Sequence, residues 1–279
     1  MKNLEQKARE LRDKTYNQLI ERRGEKGKNF VRGLKSFKFL PFSWKRGNLL
    51  EYFYAVMRCA DDIADRDAPL FDGFNSPEEF VKSVKEFVDW GGNNPKGDFE
   101  KTLFYCFQLS EELGFSLVKE SKDILSSMLF DAERYSNKCI RQVFSEKKLK
   151  EYFYHMDISG TVKASLKIFG DNPNKFELLE PLGIATRIHY NLEDYQEDVN
   201  KGFINISKED IDKFNIDIFN DIQSKEIQNW FYAQANKGMK LLDEHRGIME
   251  KTSFNWRVLL TLKKIYEEPT REYFLSILK

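Results

Sequence analysis

Several things are scarce in this chain, and each scarcity removes a class of answers. Three cysteines, Cys59, Cys106 and Cys139, stand at spacings that suggest no pairing. An odd count without a secretion signal argues against a disulfide framework and for a reducing cytoplasm. Net charge is absent: 45 Lys and Arg balance 45 Asp and Glu, so no global basic field is available for nucleic acid. No apolar run approaches 18 residues, which excludes a membrane-spanning helix. The opening MKNLEQKARELRDK reads as a charged amphipathic helix rather than a leader. The histidines His155, His189 and His245 show no metal-ligand spacing and read as packing or surface residues, with His189 close enough in sequence to the second acidic cluster below to stand behind it. Strand-type alternation is nearly missing, and no Gly-rich dinucleotide fingerprint is present, which leaves NADPH unindicated.

What is present is aromatic and helical. Aromatics make up 14% of the chain, with 24 Phe and 12 Tyr, a surplus that a lipid-like ligand would use and that AT-rich coding would also produce. The 3–4 apolar spacing predicts helices over about 3–22, 47–66, 76–90, 98–114, 117–140, 146–170, 175–200, 216–246, 252–267 and 270–278. Breakers fall between them, among them Pro41, Pro69, Gly73, Gly91-Gly92, Pro95, Gly170, Pro173 and Gly202. Ser76, Pro77 and Glu79 form a capping-box start. No linker or repeat divides the sequence, so the expected architecture is all-α, a single-domain helical bundle over 1–279 with a central cavity.

Two acidic clusters stand 133 residues apart, Asp61-Asp62-Ile63-Ala64-Asp65 and Asp194-Tyr195-Gln196-Glu197-Asp198. Each carries aspartates at i and i+4, which puts two carboxylates on one helix face about 6 Å apart. Like charges so placed destabilise a helix by roughly 0.2–0.5 kcal/mol per pair, so the arrangement needs a cation to be useful. Mg²⁺ is commonly held by one or two carboxylates together with substrate phosphates. In the first cluster Leu50, Phe53, Tyr54, Met57 and Cys59-Ala60 set an apolar face that Asp61 and Asp65 continue, with Arg58 one turn before Asp61. In the second, Arg187, Asp194 and Asp198 form a stripe at 0, +7 and +11 behind an apolar series from Leu178 to Leu192. The pattern predicts a helical pocket that grips a diphosphate through Mg²⁺, with Asp62 and Glu197 as secondary ligand candidates.

Residues 54–65, YAVMRCADDIAD, resemble the first aspartate motif of the squalene/phytoene synthase family, which pairs a Tyr and an Arg with this acidic spacing. Residues 182–207 are similar to its second motif, residues 152–170 to its Gly-Thr-Val stretch, and the segment from Lys28-Asn29-Phe30 to Leu40-Pro41 to its substrate-entry segment. The likeness departs at Arg187 and Tyr190, where the family carries Gln and Asn, and at Glu193, Phe203, Asn205 and Lys163.

The resemblance implies the class I isoprenoid synthase fold and Mg²⁺-dependent head-to-head condensation of two farnesyl or geranylgeranyl diphosphates. The route passes through a cyclopropyl diphosphate to a squalene- or phytoene-type product. It assigns Asp61, Asp65, Asp194 and Asp198 to the metal, Tyr54 and Arg58 to catalysis, and Arg58 to a diphosphate as well. Lys163, Arg187 and Tyr190 are expected to touch substrate, and the charge and position of Arg187 and Lys163 suit them to replace some missing family contacts. A single-substrate terpene synthase and a catalytically silent assembly factor are the alternatives. Asp131 and Arg134 read equally as a buried ion pair. The basic Lys147, Lys148 and Lys150 read as a solvated helix start. A peripheral membrane contact for product release, chain length and oligomeric state stay open.

Overall fold

The structure, a computed structural model, describes residues 2–40, 43–136, 142–218 and 222–279. Pro41 and Cys139, read above as a breaker and as part of a helix, lie outside the described residues. Among those residues the regular structure is helical, apart from an isolated bridge between Phe144 and Ser207. The all-α expectation therefore holds. The helices are α1 Lys2–Ser36, α2 Trp44–Ala64, α3 Pro77–Asp89, α4 Asp98–Glu112, α5 Val118–Ser136, α6 Glu146–Phe153, α7 Lys163–Phe169, α8 Glu180–Glu193, α9 Tyr195–Lys201, α10 Lys208–Phe214, α11 Lys225–Lys251, α12 Trp256–Thr261 and α13 Glu268–Ile277. None is long and apolar enough to cross a membrane.

The chain packs as two compact units, Met1–Ala132 with Ala164–Gly170, and Glu133–Lys163 with Asp171–Lys279. In the first, α1 lies against α2 and α4, and α2 also meets α3. Tyr16, Leu19, Val31 and Leu34 of α1 bury against Ala55, with Phe30, Leu50 and Tyr54 packed at the edge. The sequence predicts that the first helix stops near 22, and the helical run does break at Gly24, whose φ 55° and ψ −129° are non-helical; a second helical stretch, burying Val31 and Leu34, then continues to Ser36. Glu51, fully buried in α2, is held by Arg12 at 3.4 Å and Lys38 at 3.2 Å. The expected Ser76 cap is present: its side chain accepts from Glu79 N at 3.2 Å.

In the second unit α8 packs along α11, and both meet α13. A β-carbon added at Gly238 would stand 2.2 Å from the fully buried Phe274 ring, so glycine sets the approach of α11 to α13. Two expected helices are divided. The 146–170 segment passes through a π-helical stretch, Tyr154–Val162, and 175–200 becomes the 3-10 stretch Pro173–Leu179 followed by α8 and α9. Helix α10 was not foreseen. It buries none of its residues, so it leaves no apolar period, and only the Ser207 cap, accepting from Asp210 N at 3.0 Å, marks its start.

Candidate active site

The first acidic motif closes α2 in the first unit. Asp65 is the C-cap, its N–H donating to the Asp61 carbonyl at 2.9 Å, and Arg66 then turns the chain out at φ 61°. The three aspartates do not share a role. Asp62 is buried and clasped by two guanidinium groups: Arg58 Nη2 at 2.6 Å and Arg22 Nη2 at 2.5 Å. Arg22 also reaches Asp67 at 2.9 Å. Asp61 and Asp65 are only partly buried. Arg58 Nη1 donates to Asp61 Oδ2 at 2.9 Å. Burial opposes the Arg58 charge, but Asp61 and Asp62 more than offset it, so the guanidinium stays ionised.

The Asp65 carboxyl is pushed well above the usual carboxylate range, first by burial and then by the charges of Asp61 and of Asp131 on α5. Three carboxylates of two helices thus crowd one region of the first unit. Tyr54 stands one turn before Arg58, its ring 5.1 Å from Phe30 and 6.3 Å from Tyr16. Burial pushes its phenol up to about 12, so it stays neutral.

The second motif lies in the second unit. Asp194 joins α8 to α9 at φ −92°, ψ 2°, which divides the expected stripe. The break has an electrostatic reason. Glu193, Asp194, Glu197 and Asp198 would crowd one uninterrupted helix, whereas a new N-terminus places Glu197 and Asp198 in the first turn of α9, where its dipole favours them. Tyr195 is buried against Trp230 and Phe231. Asp198 accepts from Asn205 Nδ2 at 3.0 Å, and Asn205 Oδ1 accepts from Arg134 Nη1 at 3.2 Å. Arg134 also donates to the Ile204 carbonyl at 3.1 Å and lies over the Phe144 and Phe203 rings. Glu197 is exposed and paired with Lys201 at 2.7 Å.

The expected substrate residues of this unit have protein partners. Arg187 forms a bidentate pair with Asp157, Nε to Oδ2 at 2.8 Å and Nη2 to Oδ1 at 2.6 Å, and its guanidinium lies over Phe153. The Lys163 ammonium is 4.6 Å from the Phe176 ring. Tyr190 stacks on His189, which contacts Thr270 at 3.2 Å. A cavity of about 550 Å³ adjoins the motif, lined by Asn205, Arg187, Asp157 and a largely apolar set from α6, α8 and α11. Sequence reasoning missed Arg22 and Asp157. Arg22 lies in no motif and Asp157 sits unremarked within the 152–170 stretch, and each finds its aspartate or arginine partner 30 or more positions away.

Among the described residues, no three His, Cys, Asp or Glu side chains form a ready metal cage. The donors available are hard carboxylate oxygens, the type Mg²⁺ takes together with a ligand's phosphates, and the Asp65 carboxyl among them is raised by burial first and by neighbouring carboxylate charge second.

No family model matches this sequence, and no curated protein does. Solved structures do match. The squalene synthase HpnC from Alicyclobacillus acidocaldarius superposes with a TM-score of 0.63 at 15% identity, over 89% of this chain and 92% of that one. The chain has the squalene synthase fold. A dehydrosqualene synthase solved in complex with ligand gives a TM-score of 0.63 at 17% identity, over 98% and 96% of the two chains. The squalene synthase fold is thus spanned nearly end to end, with neither unit left over.

Proposed function

We propose that this chain is an Mg²⁺-dependent prenyltransferase that joins two prenyl diphosphates head to head. The observation that carries the reading is the closing turn of α2, where Asp61, Asp65 and Arg58 stand together in a chain with the squalene synthase fold. Asp61 and Asp65 would hold Mg²⁺ in one unit and Asp194 and Asp198 in the other. Bound there, the ion neutralises charge on the departing diphosphate.

The chain's own residues supply the rest. Arg58, fixed by Asp62, presents a permanent charge beside Asp61 and makes a charge-assisted contact to diphosphate oxygen. Cleavage of the C–O bond leaves an allylic cation. The alkene of the second substrate attacks it, and proton loss closes the cyclopropane. Tyr54 stays a neutral phenol, and its ring face can steady a nearby cation by about 0.5–2 kcal/mol. The apolar part of the second unit's cavity, with Ile184, Ile188 and Leu192, offers a surface for a prenyl tail.

Purified protein with Mg²⁺ and farnesyl or geranylgeranyl diphosphate is expected to release pyrophosphate and form a C30 or C40 product. Asp61→Asn and Asp194→Asn abolish turnover while the protein stays folded. Full activity in both variants sinks the carboxylate assignment. A cyclised product containing one prenyl chain points to a terpene synthase. Absence of both turnover and Mg²⁺-dependent binding of a prenyl thiodiphosphate points to a silent relative.

A further inference from the structure

The cavity of the second unit has a direction. Asn205 lines the cavity and bonds to Asp198 at 3.0 Å, and Leu192, two residues before Asp194, marks the end nearest the motif along α8. Trp230 lines the cavity too, its ring 6.0 Å from Tyr195 of the motif. The lining follows α8 from Leu192 back to Glu180, a span of about 18 Å at 1.5 Å per residue. Leu241, eleven residues beyond Trp230 on α11, lies toward the far end. Phe153, Ile184 and Ile188 supply apolar wall, and charged side chains, among them Glu146, Lys150, Asp210 and Lys237, line it as well.

Among the charged residues of this wall, Arg187, midway along α8, and Asp157 form a fork-to-fork pair, its two bonds made at 2.6 and 2.8 Å. Phe153 backs the guanidinium at 5.0 Å, so the pair is held from two sides. A bidentate, stacked arginine is costly to displace. An apolar chain laid across the pair would strip its remaining water and offer no bond in return.

We propose that the Arg187–Asp157 pair sets the length of prenyl chain the cavity accepts. The inference rests on reading the Asp194–Asp198 end as the diphosphate end. The tail enters there, packs on Leu192 and Ile188, and halts at the pair, so the stretch toward Leu241 stays beyond its reach.

The test uses the C10, C15 and C20 prenyl alcohols, which carry no diphosphate and need no metal. Their binding is independent of turnover, so a failed pyrophosphate assay and a failed length rule are separate results. For the unaltered protein, affinity is expected to rise from C10 to C15 and to level off at C20. In the double variant Arg187→Leu with Asp157→Leu, which removes both charges together, C20 binds at least tenfold tighter than in the unaltered protein. Leu241→Trp in the unaltered background leaves C15 binding unchanged, and added to the double variant it cancels the C20 gain. A thermal melt accompanies each variant. Affinity in the unaltered protein that keeps rising through C20, or C15 binding weakened by Leu241→Trp alone, overturns the proposal.

Discussion

Asp62 shows how one residue of an acidic motif can be taken up by architecture while its neighbours are left more open. It is buried between Arg22 and Arg58, whereas Asp61 and Asp65 keep solvent access. Removing one partner of a buried ion network leaves the other charges uncompensated. Asp62→Ala is therefore expected to cost about 3 kcal/mol in urea denaturation. Asp61→Asn is expected to leave the urea midpoint close to that of the unaltered protein. Equal midpoints for the two variants would contradict this division of roles.

His245 makes a second residue-scale case. Burial depresses its imidazole below the ordinary value, with Glu267 pulling it up and Arg246 pushing it down. The folded state prefers the neutral ring, so its stability is complete above about pH 6.5, the unperturbed value. As pH falls below that, the unfolded chain gains the proton first and stability declines until the folded pKa is passed. Urea midpoints at pH 7.5 and 5.5 measure the slope, and His245→Leu should flatten it.

At the scale of elements, packing rather than propensity fixes the geometry. Gly238 lets α11 approach α13, and a methyl there meets the ring of Phe274 at 2.2–2.9 Å. Gly238→Ala is expected to destabilise by about 1–3 kcal/mol, the usual range for overpacking, and to lower the thermal midpoint. Legibility in the sequence followed the same logic. Helices α2, α3 and α4 were readable because each buries a periodic face and α3 begins with a side-chain cap. Helix α10, with no buried residue, had no such signal. The break at Asp194 depends on charge crowding at one helix end, which apolar periodicity does not register.

For the whole molecule, ligand binding and stability are linked. A prenyl thiodiphosphate with Mg²⁺ is expected to raise stability by about 2.7 kcal/mol at a hundred times its dissociation constant. Neither the ion nor the analogue alone should match that shift in a thermal melt, because each supplies only part of the other's coordination. A full shift from the analogue without the ion would count against metal-bridged binding.

The sequence by itself determined the helical class, the position of both acidic motifs and the placement of Arg58 one turn and Tyr54 two turns before Asp61. These properties are carried by spacing along one helix, where neighbours three and four apart must meet. Only the tertiary structure decided that Asp62 turns inward to Arg22, 40 residues away, and that Arg187 is claimed by Asp157, 30 residues away. An ion pair between distant elements forms where packing brings two side chains together, and no local period encodes that meeting.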